Sequence, residues 1–318
     1  PVAHSFPTRR SSDLDSSSVA SLAAEAQPDM RLFTISFAEP EYDELPMVRS
    51  LMRAMPERFA DARLEHGVCS RHSLRELPAI VRSMGELISL GTVLPTDQVC
   101  RMAAEKVKVV VTGEGADEVF AGYRKFLLET AAAELEETGS LPSGLEVDPE
   151  DLSTYMGRRG RDSVSAHAGT EALFRGRELD RILGRPSGSV RLPEAAVPEL
   201  ARVGHPLDRM LALECRTRLP DYVVARLDRL SMRHSLEART PYLDYRLADL
   251  AGSLHPEDKV DLSRTMGKAV CRDSLLAAGV VDRDTALRRK QPFTIPMAAW
   301  LLRGGAPDLL RAVFEGGM

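Results

Sequence analysis

Six consecutive residues, Gly113-Glu114-Gly115-Ala116-Asp117-Glu118, combine the two ingredients of a phosphate and metal site. The apolar run Val107 to Val111 precedes them and a helix-patterned segment opens at Asp117, so the spacing predicts a strand, a glycine turn and a helix N-terminus. Backbone N–H groups at such a turn, with the positive end of the helix dipole, suit an anion. The carboxylates of Glu114, Asp117 and Glu118 cannot face phosphate unaided, and a hard cation such as Mg2+ is the natural bridge. The same residues also read as a glycine-rich turn whose acids complement the helix dipole, and the motif by itself leaves both readings open.

Comparable stretches lie far apart in the chain. Leu14-Asp15-Ser16-Ser17-Ser18 opens a helical pattern, in which Asp15 is either a ligand or a helix N-cap. Asp228-Arg229-Leu230-Ser231-Met232, then Ser235-Leu236-Glu237-Ala238-Arg239-Thr240-Pro241-Tyr242-Leu243-Asp244, and finally Arg289-Lys290-Gln291-Pro292-Phe293 follow. The elements that must gather them alternate in the α/β manner. Helices are expected over 16–26, 42–55, 74–84 and 96–105, and strands over 31–37, 64–69 and 106–112. This is the pattern of a doubly wound parallel sheet, which binds ligands at the carboxyl ends of its strands, where the Asp15 and Gly113 loops would sit. Residues 15–137 form the expected nucleotide-binding core and 138–206, rich in Gly, Pro, Arg and Ser, a variable excursion. From 207 to 318 the pattern is largely helical, punctuated by Pro220, Pro241, Pro256 and Pro296.

These five ordered motifs resemble the synthetase domain of the class B, glutamine-hydrolysing asparagine synthetases, from about Leu14 to about Leu302. The resemblance implies a sheet of the adenine-nucleotide alpha-hydrolase (PP-loop) type and an ATP-dependent ligase. In that family ATP activates the side-chain carboxylate of aspartate as an acyl-adenylate with release of pyrophosphate, and ammonia, normally from glutamine, displaces AMP. Carried over by residue, Asp15 and Asp117 match the Mg2+-binding acids. Ser11, Ser16 and Ser17 belong to the pyrophosphate loop, and Gly113 and Gly115 to the acidic nucleotide loop. Glu114 matches the acid that orients the attacking amine or takes its proton. Lys290 matches the cation that stabilises adenylation, although Gln291-Pro292 precedes Phe293 where the family often has Gly before Phe. Relatives of this fold also close β-lactam rings, cyclise peptides or amidate polysaccharide precursors, so the acceptor stays open.

The pyrophosphate loop departs from the family. Where two glycines belong, this chain has Ser12 and Asp13. A side chain there costs about 1 kcal/mol or more in strain, and Asp13 adds repulsion against phosphate. The stretch before it, Pro1 to Arg10, carries Pro7 and Arg9-Arg10 and does not read as a central parallel strand. Residues 6–14 resemble the conceptual translation of a common short-read sequencing adapter, so 1–14 are expected to be a non-native leader and the chain a fragment. The family's N-terminal glutaminase domain, whose first cysteine is the nucleophile, is expected to be missing. If Ser12 and Asp13 are genuine, the chain is instead a non-catalytic pseudoenzyme acting as a binding partner.

Composition reads as a soluble globular protein, compatible with that resemblance: 318 residues, 43% hydrophobic and 28% charged, with no apolar run approaching the roughly 18 residues of a membrane span. Cytoplasm is the expected location, and aspartate, ammonia and a homodimer are the expected partners, without nucleic acid or membrane; the net charge of −5 gives no basic field for nucleic acid. Cys69, Cys100, Cys215 and Cys271 lack paired spacing and read as reduced, half-buried residues. His234 has no neighbouring ligand at metal spacing, Tyr123 falls on an apolar stripe, and Arg229, Glu237, Arg239 and Asp244 read as a buried polar network.

Overall fold

The computed structural model describes residues 5–6, 14–85, 90–159, 180–181, 184–185, 200, 202–288, 295–296 and 300. In chain order its main elements are β1 (Ser5–Phe6), α1 (Leu14–Ala26), β2 (Arg31–Phe37), α2 (Leu45–Ala54), β3 (Arg63–Cys69), α3 (Leu77–Met84), α4 (Leu90–Ala104), β4 (Val109–Thr112), α5 (Ala116–Val119) and α6 (Arg124–Thr138). They continue with α7 (Pro149–Arg159), α8 (Pro206–Arg216), α9 (Ala225–Arg233), β5 (Glu237–Arg239), α10 (Tyr245–Ser253), β6 (Val260–Asp261), β7 (Met266–Gly267) and α11 (Ala269–Ala277). Two compact units result. The first comprises Pro1–Ala116, Asp221–Leu247 and Arg272–Met318, the second Asp117–Pro220 and Ala248–Cys271. The boundaries expected from composition, at 138 and 207, are not where these units divide.

The first unit is organised by a five-stranded sheet in the order β3-β2-β1-β4-β5, with every neighbouring pair parallel. In β2, Arg-Leu-Phe-Thr-Ile-Ser-Phe, every residue after Arg31 is buried, the unalternating pattern of a strand covered on both faces. It pairs with β3 along its whole length, from Arg31 opposite Arg63 to Phe37 opposite Cys69. Contrary to the sequence expectation, a strand does occupy the centre: β1 pairs through Ser5 with Leu32 and Val111 and through Phe6 with Thr112. That pairing uses the backbone, which is why side-chain pattern did not announce it.

β5 is the other departure. Glu237 and Arg239, expected in a buried network, are exposed on this three-residue strand and pair with each other at 2.8 Å. Asp244 is bound by the exposed fork of Arg246, which holds its carboxyl down at about 2, and Arg229 donates to the Met84 carbonyl at 2.7 Å. Three residues are too few for a periodicity signal, and charges are what an edge position tolerates.

The expected helix over 96–105 starts earlier, at Leu90, because Pro95 is accommodated inside α4. Proline lacks the N–H that would bond to the Gly91 carbonyl. That carbonyl accepts from the Ile295 N–H instead, at 3.3 Å. Val93, Leu94, Val99, Cys100 and Ala103 of α4 then pack with Phe33, Ile35 and Phe37 of β2 and with Leu230 and Leu236 in the main core. Burial pushes the Cys69 thiol in this core up to about 12, so it serves as a small apolar residue.

Among its described residues the second unit is helical apart from the antiparallel pair β6–β7. Phe126, Ala131, Tyr155, Leu207 and Met210 form its core with Val260 and Leu262. Its buried acids are matched: Lys125 pairs with Glu214 at 2.5 Å, Arg218 reaches Glu214 at 3.0 Å, and the Tyr123 hydroxyl donates to Glu118. Tyr123 is thus core-packed, as its stripe position indicated, but with a polar tip.

Phe33 is fully buried at the centre of β2, and truncating it leaves a cavity the strand cannot collapse around. Phe33→Ala is expected to lower unfolding free energy by about 3–5 kcal/mol in urea titration; a loss under about 1 kcal/mol would mean that the β2 core is not packed as described.

Candidate functional site

β1, β4 and β5 are adjacent and parallel, so their carboxyl ends lie along one edge of the sheet. α1 follows β1, the Gly113 loop follows β4, and a turn at Pro241–Leu243 follows β5. Strand order reverses between β1 and β4: β2 and β3 continue on one side and β5 on the other. In open parallel sheets the crevice outside such a reversal is where ligands bind.

Two of the loops there meet backbone to backbone. A Cβ on Gly113 would lie 2.6 Å from the carbonyl carbon of Asp15 and 2.6 Å from the Ser16 nitrogen. Gly115 has φ +95°, and a Cβ there would overlap the side chain of Leu243. Both glycines are therefore required by close approach, and Gly115 by conformation as well. Asp15, Ser16 and Ser17 are buried in the first turn of α1, which begins at Leu14; Asp15 stands inside the helix and is not its N-cap.

Glu114 points its buried carboxylate at an equally buried arginine. Arg226 on α9 donates to Glu114 Oε1 at 2.7 Å and to Thr92 Oγ1 at 2.8 Å, with its guanidinium 5.2 Å from the centre of the Tyr222 ring. Sequence reasoning missed Arg226. The signal was its position four residues before Leu230, which puts an arginine on the buried face of an amphipathic helix.

In the second unit, Asp117 pairs with the buried Lys268, Nζ to Oδ1 at 2.7 Å. The helix expected from Asp117 onward is only the four-residue α5, too short to present a substantial dipole. It stops because the chain reverses at Ala121, φ 60°, and the Gly122 N–H returns to the Asp117 carbonyl at 2.9 Å. Lys268 also has left-handed backbone, φ 59°, and its N–H donates to the Phe120 carbonyl at 3.1 Å. The preceding Gly267 admits this approach, since a Cβ there would overlap the Ala121 carbonyl. The Gly-Lys pair was the only local sign of this lysine.

The structure thus brings Asp15, Ser16, Ser17, Gly113, Glu114 and Gly115 into the first unit and Asp117 into the second. Ser11 and Lys290 lie outside the described residues. His234 is a partner of Asp97, at 2.9 Å. Among the described residues no group of three or more His, Cys, Asp or Glu side chains could hold a metal ion. Asp15 and Asp117 are each buried carboxylates, the donor type Mg2+ takes one or two of when it also binds substrate phosphates, so their chemistry fits that ion. No described helix is long and apolar enough to cross a membrane.

The sheet, with glycine-enforced loops at its reversal, is an α/β scaffold. The family model for asparagine synthase matches residues 11–317, and the chain belongs to that family. A provisionally named asparagine synthetase (glutamine-hydrolyzing) of Mycobacterium tuberculosis is 27% identical over 306 residues, covering 92% of this chain and 45% of that protein. Asparagine synthetase (glutamine-hydrolyzing) 1 of Bacillus subtilis is 24% identical, covering 92% of this chain and 46% of that protein. Amidase chyE of Penicillium rubens is 24% identical, covering 79% and 43%. The chain spans less than half the length of each of these relatives.

Gly113→Ala is expected to force α1 and the β4 loop apart and to cost about 1–3 kcal/mol in urea titration; unchanged stability would show that the two backbones do not touch. Arg226→Met leaves a buried carboxylate without its partner and is expected to cost about 3–5 kcal/mol, whereas Arg226→Met with Glu114→Gln should recover part of that loss. Additive losses across this cycle would remove the ion pair.

Proposed function

We propose that this chain is the ligase portion of a glutamine-dependent asparagine synthetase, with a doubly wound sheet that binds ATP at the strand reversal. The observation that supports it is the close approach of Gly113 to Asp15 and Ser16, which joins the two loops to which the resemblance gives the nucleotide. The aspartate side-chain carboxylate would attack the α-phosphorus of ATP and expel pyrophosphate. Ammonia would then add to the acyl carbon, AMP would leave with the bonding pair, and the excess proton would pass to a base.

In this proposal the first turn of α1, with Ser16 and Ser17, holds pyrophosphate by backbone N–H and hydroxyl donors, as Ser11 would ahead of it. Glu114, steadied by Arg226, orients the amine and accepts its proton. Lys290 offsets charge on the phosphates during adenylation. Asp15 and, separately, Asp117 are each proposed as a carboxylate that would hold Mg2+, an ion that would neutralise charge on the leaving pyrophosphate. Ammonia from glutamine, a homodimer and a cytoplasmic location belong to the same proposal. A second reading keeps the adenylation and changes the acceptor, which the amidase name of one relative favours.

Aspartate-dependent exchange of labelled pyrophosphate into ATP tests the assignment. Exchange is expected with aspartate and not with other amino acids, and Asp117→Asn should reduce it by at least about 100-fold, the scale on which loss of one electrostatic stabiliser acts. Exchange driven only by another carboxylic acid would select the second reading. Absence of exchange in folded protein, with Ser12 and Asp13 replaced by glycine, would sink both.

A further inference from the structure

Ser18 and Tyr242 lie 224 residues apart, yet their hydroxyls are 2.6 Å from each other and both residues are buried. Ser18 Oγ also donates to the Asp15 carbonyl at 2.8 Å. A serine hydroxyl has one proton; with that proton on the carbonyl, Tyr242 is the donor and Ser18 the relay. The Tyr242 hydroxyl is therefore connected through one side chain to the backbone of Asp15, the same residue whose carbonyl carbon abuts Gly113.

The neighbouring residue grips the other loop. Leu243 covers Gly115 so closely that a Cβ has no room. Both residues belong to one turn, started by Pro241 and closed by the Leu243 N–H donating to the Thr240 carbonyl at 2.9 Å. That turn sits directly after β5, whose register against β4 is fixed by three residue pairs. A phenylalanine at 242 would fill the same space, so the ring explains the packing and the hydroxyl has a separate purpose.

We propose that Tyr242 is a positioning residue, and that the Pro241–Leu243 turn sets the geometry of the nucleotide site. Tyr242 fixes the first turn of α1 through Ser18, and Leu243 fixes the β4 loop through Gly115. The ligand whose binding this geometry governs is the triphosphate of a nucleotide, so the inference rests on the ATP-binding reading above.

The test compares the full chain with Tyr242→Phe, Ser18→Ala and the double variant. Hydrogen–deuterium exchange is read over residues 14–24 and over β2, alongside the KM for ATP and kcat of pyrophosphate exchange. Each single variant should speed deuterium uptake over 14–24 by about 2- to 12-fold, the span of one net hydrogen bond, and leave β2 unchanged. Each should lower kcat/KM for ATP by a similar factor, and the double variant should be no worse than the worse single one, because both remove the same link. Wild-type uptake over 14–24 in Tyr242→Phe, uptake raised equally over β2, or multiplying losses in the double variant would each overturn the positioning role. Should Tyr242→Phe fail to fold, Ser18→Ala, which removes the relay and favours helix, decides alone. If the chain with Ser12 and Asp13 replaced by glycine shows no pyrophosphate exchange, the ATP reading fails, and the deuterium pattern still settles whether the turn holds α1.

Discussion

No side chain fits between Gly113 and the first turn of α1, and the arrangement of the sheet edge follows from that. Parallel pairing of β1 with β4 places the two strand ends side by side but leaves the loops beyond them free in principle. Backbone contact removes that freedom. It holds two backbone segments from separate parts of the chain against each other, without the rotamer freedom that a pair of side chains would have to lose. Gly115 repeats the device two residues later against Leu243, so the β4 loop is confined on both sides within the first unit.

Burial of charge is the second theme. The first unit encloses Glu114 with Arg226, and the second encloses Asp117 with Lys268. Taking such ions out of water costs several kcal/mol each, and hydrophobic pairs of the same volume are frequently as stable. Stability therefore does not account for acids at both positions of one short loop. Each pair does give its carboxylate a direction: Arg226 donates to Glu114 Oε1 at 2.7 Å, and Lys268 pairs with Asp117 Oδ1 at 2.7 Å. The guanidinium of Arg226 is itself fixed by Thr92 and the Tyr222 ring, which makes α4 and α9 jointly responsible for where Glu114 lies.

Much of this was legible in the residues. The glycines of the loop, the acids beside them and the strand over 31–37 showed in pattern and composition, because apolar runs and glycine spacing are local signals. What escaped had non-local causes. β1 has two residues and β5 three, and each is a strand only because a neighbour supplies hydrogen-bond partners. Glu237 and Arg239 looked like buried network members on residue type, whereas an edge strand turns them outward. Arg226, Lys268 and Tyr242 acquire meaning only from acids and hydroxyls more than a hundred residues away.

The path of the chain explains why the motifs are ordered yet so widely spaced. The chain leaves the first unit at Ala116 and re-enters it at Asp221, so β4 and β5 are neighbours in the sheet but are separated in sequence by the whole of α5 to α9. Closing a loop of that length costs only slightly more than closing one half as long, since the entropy grows with the logarithm of length. Insertion between Ala116 and Asp221 is thus thermodynamically cheap, while a shift of one residue in β5 is not: it would carry Tyr242 away from Ser18 and Leu243 away from Gly115. The physical constraint therefore falls on the short segment 237–243 and on the glycines it meets, and the sequence between is free to vary in length so long as the parallel register of β5 on β4 is kept.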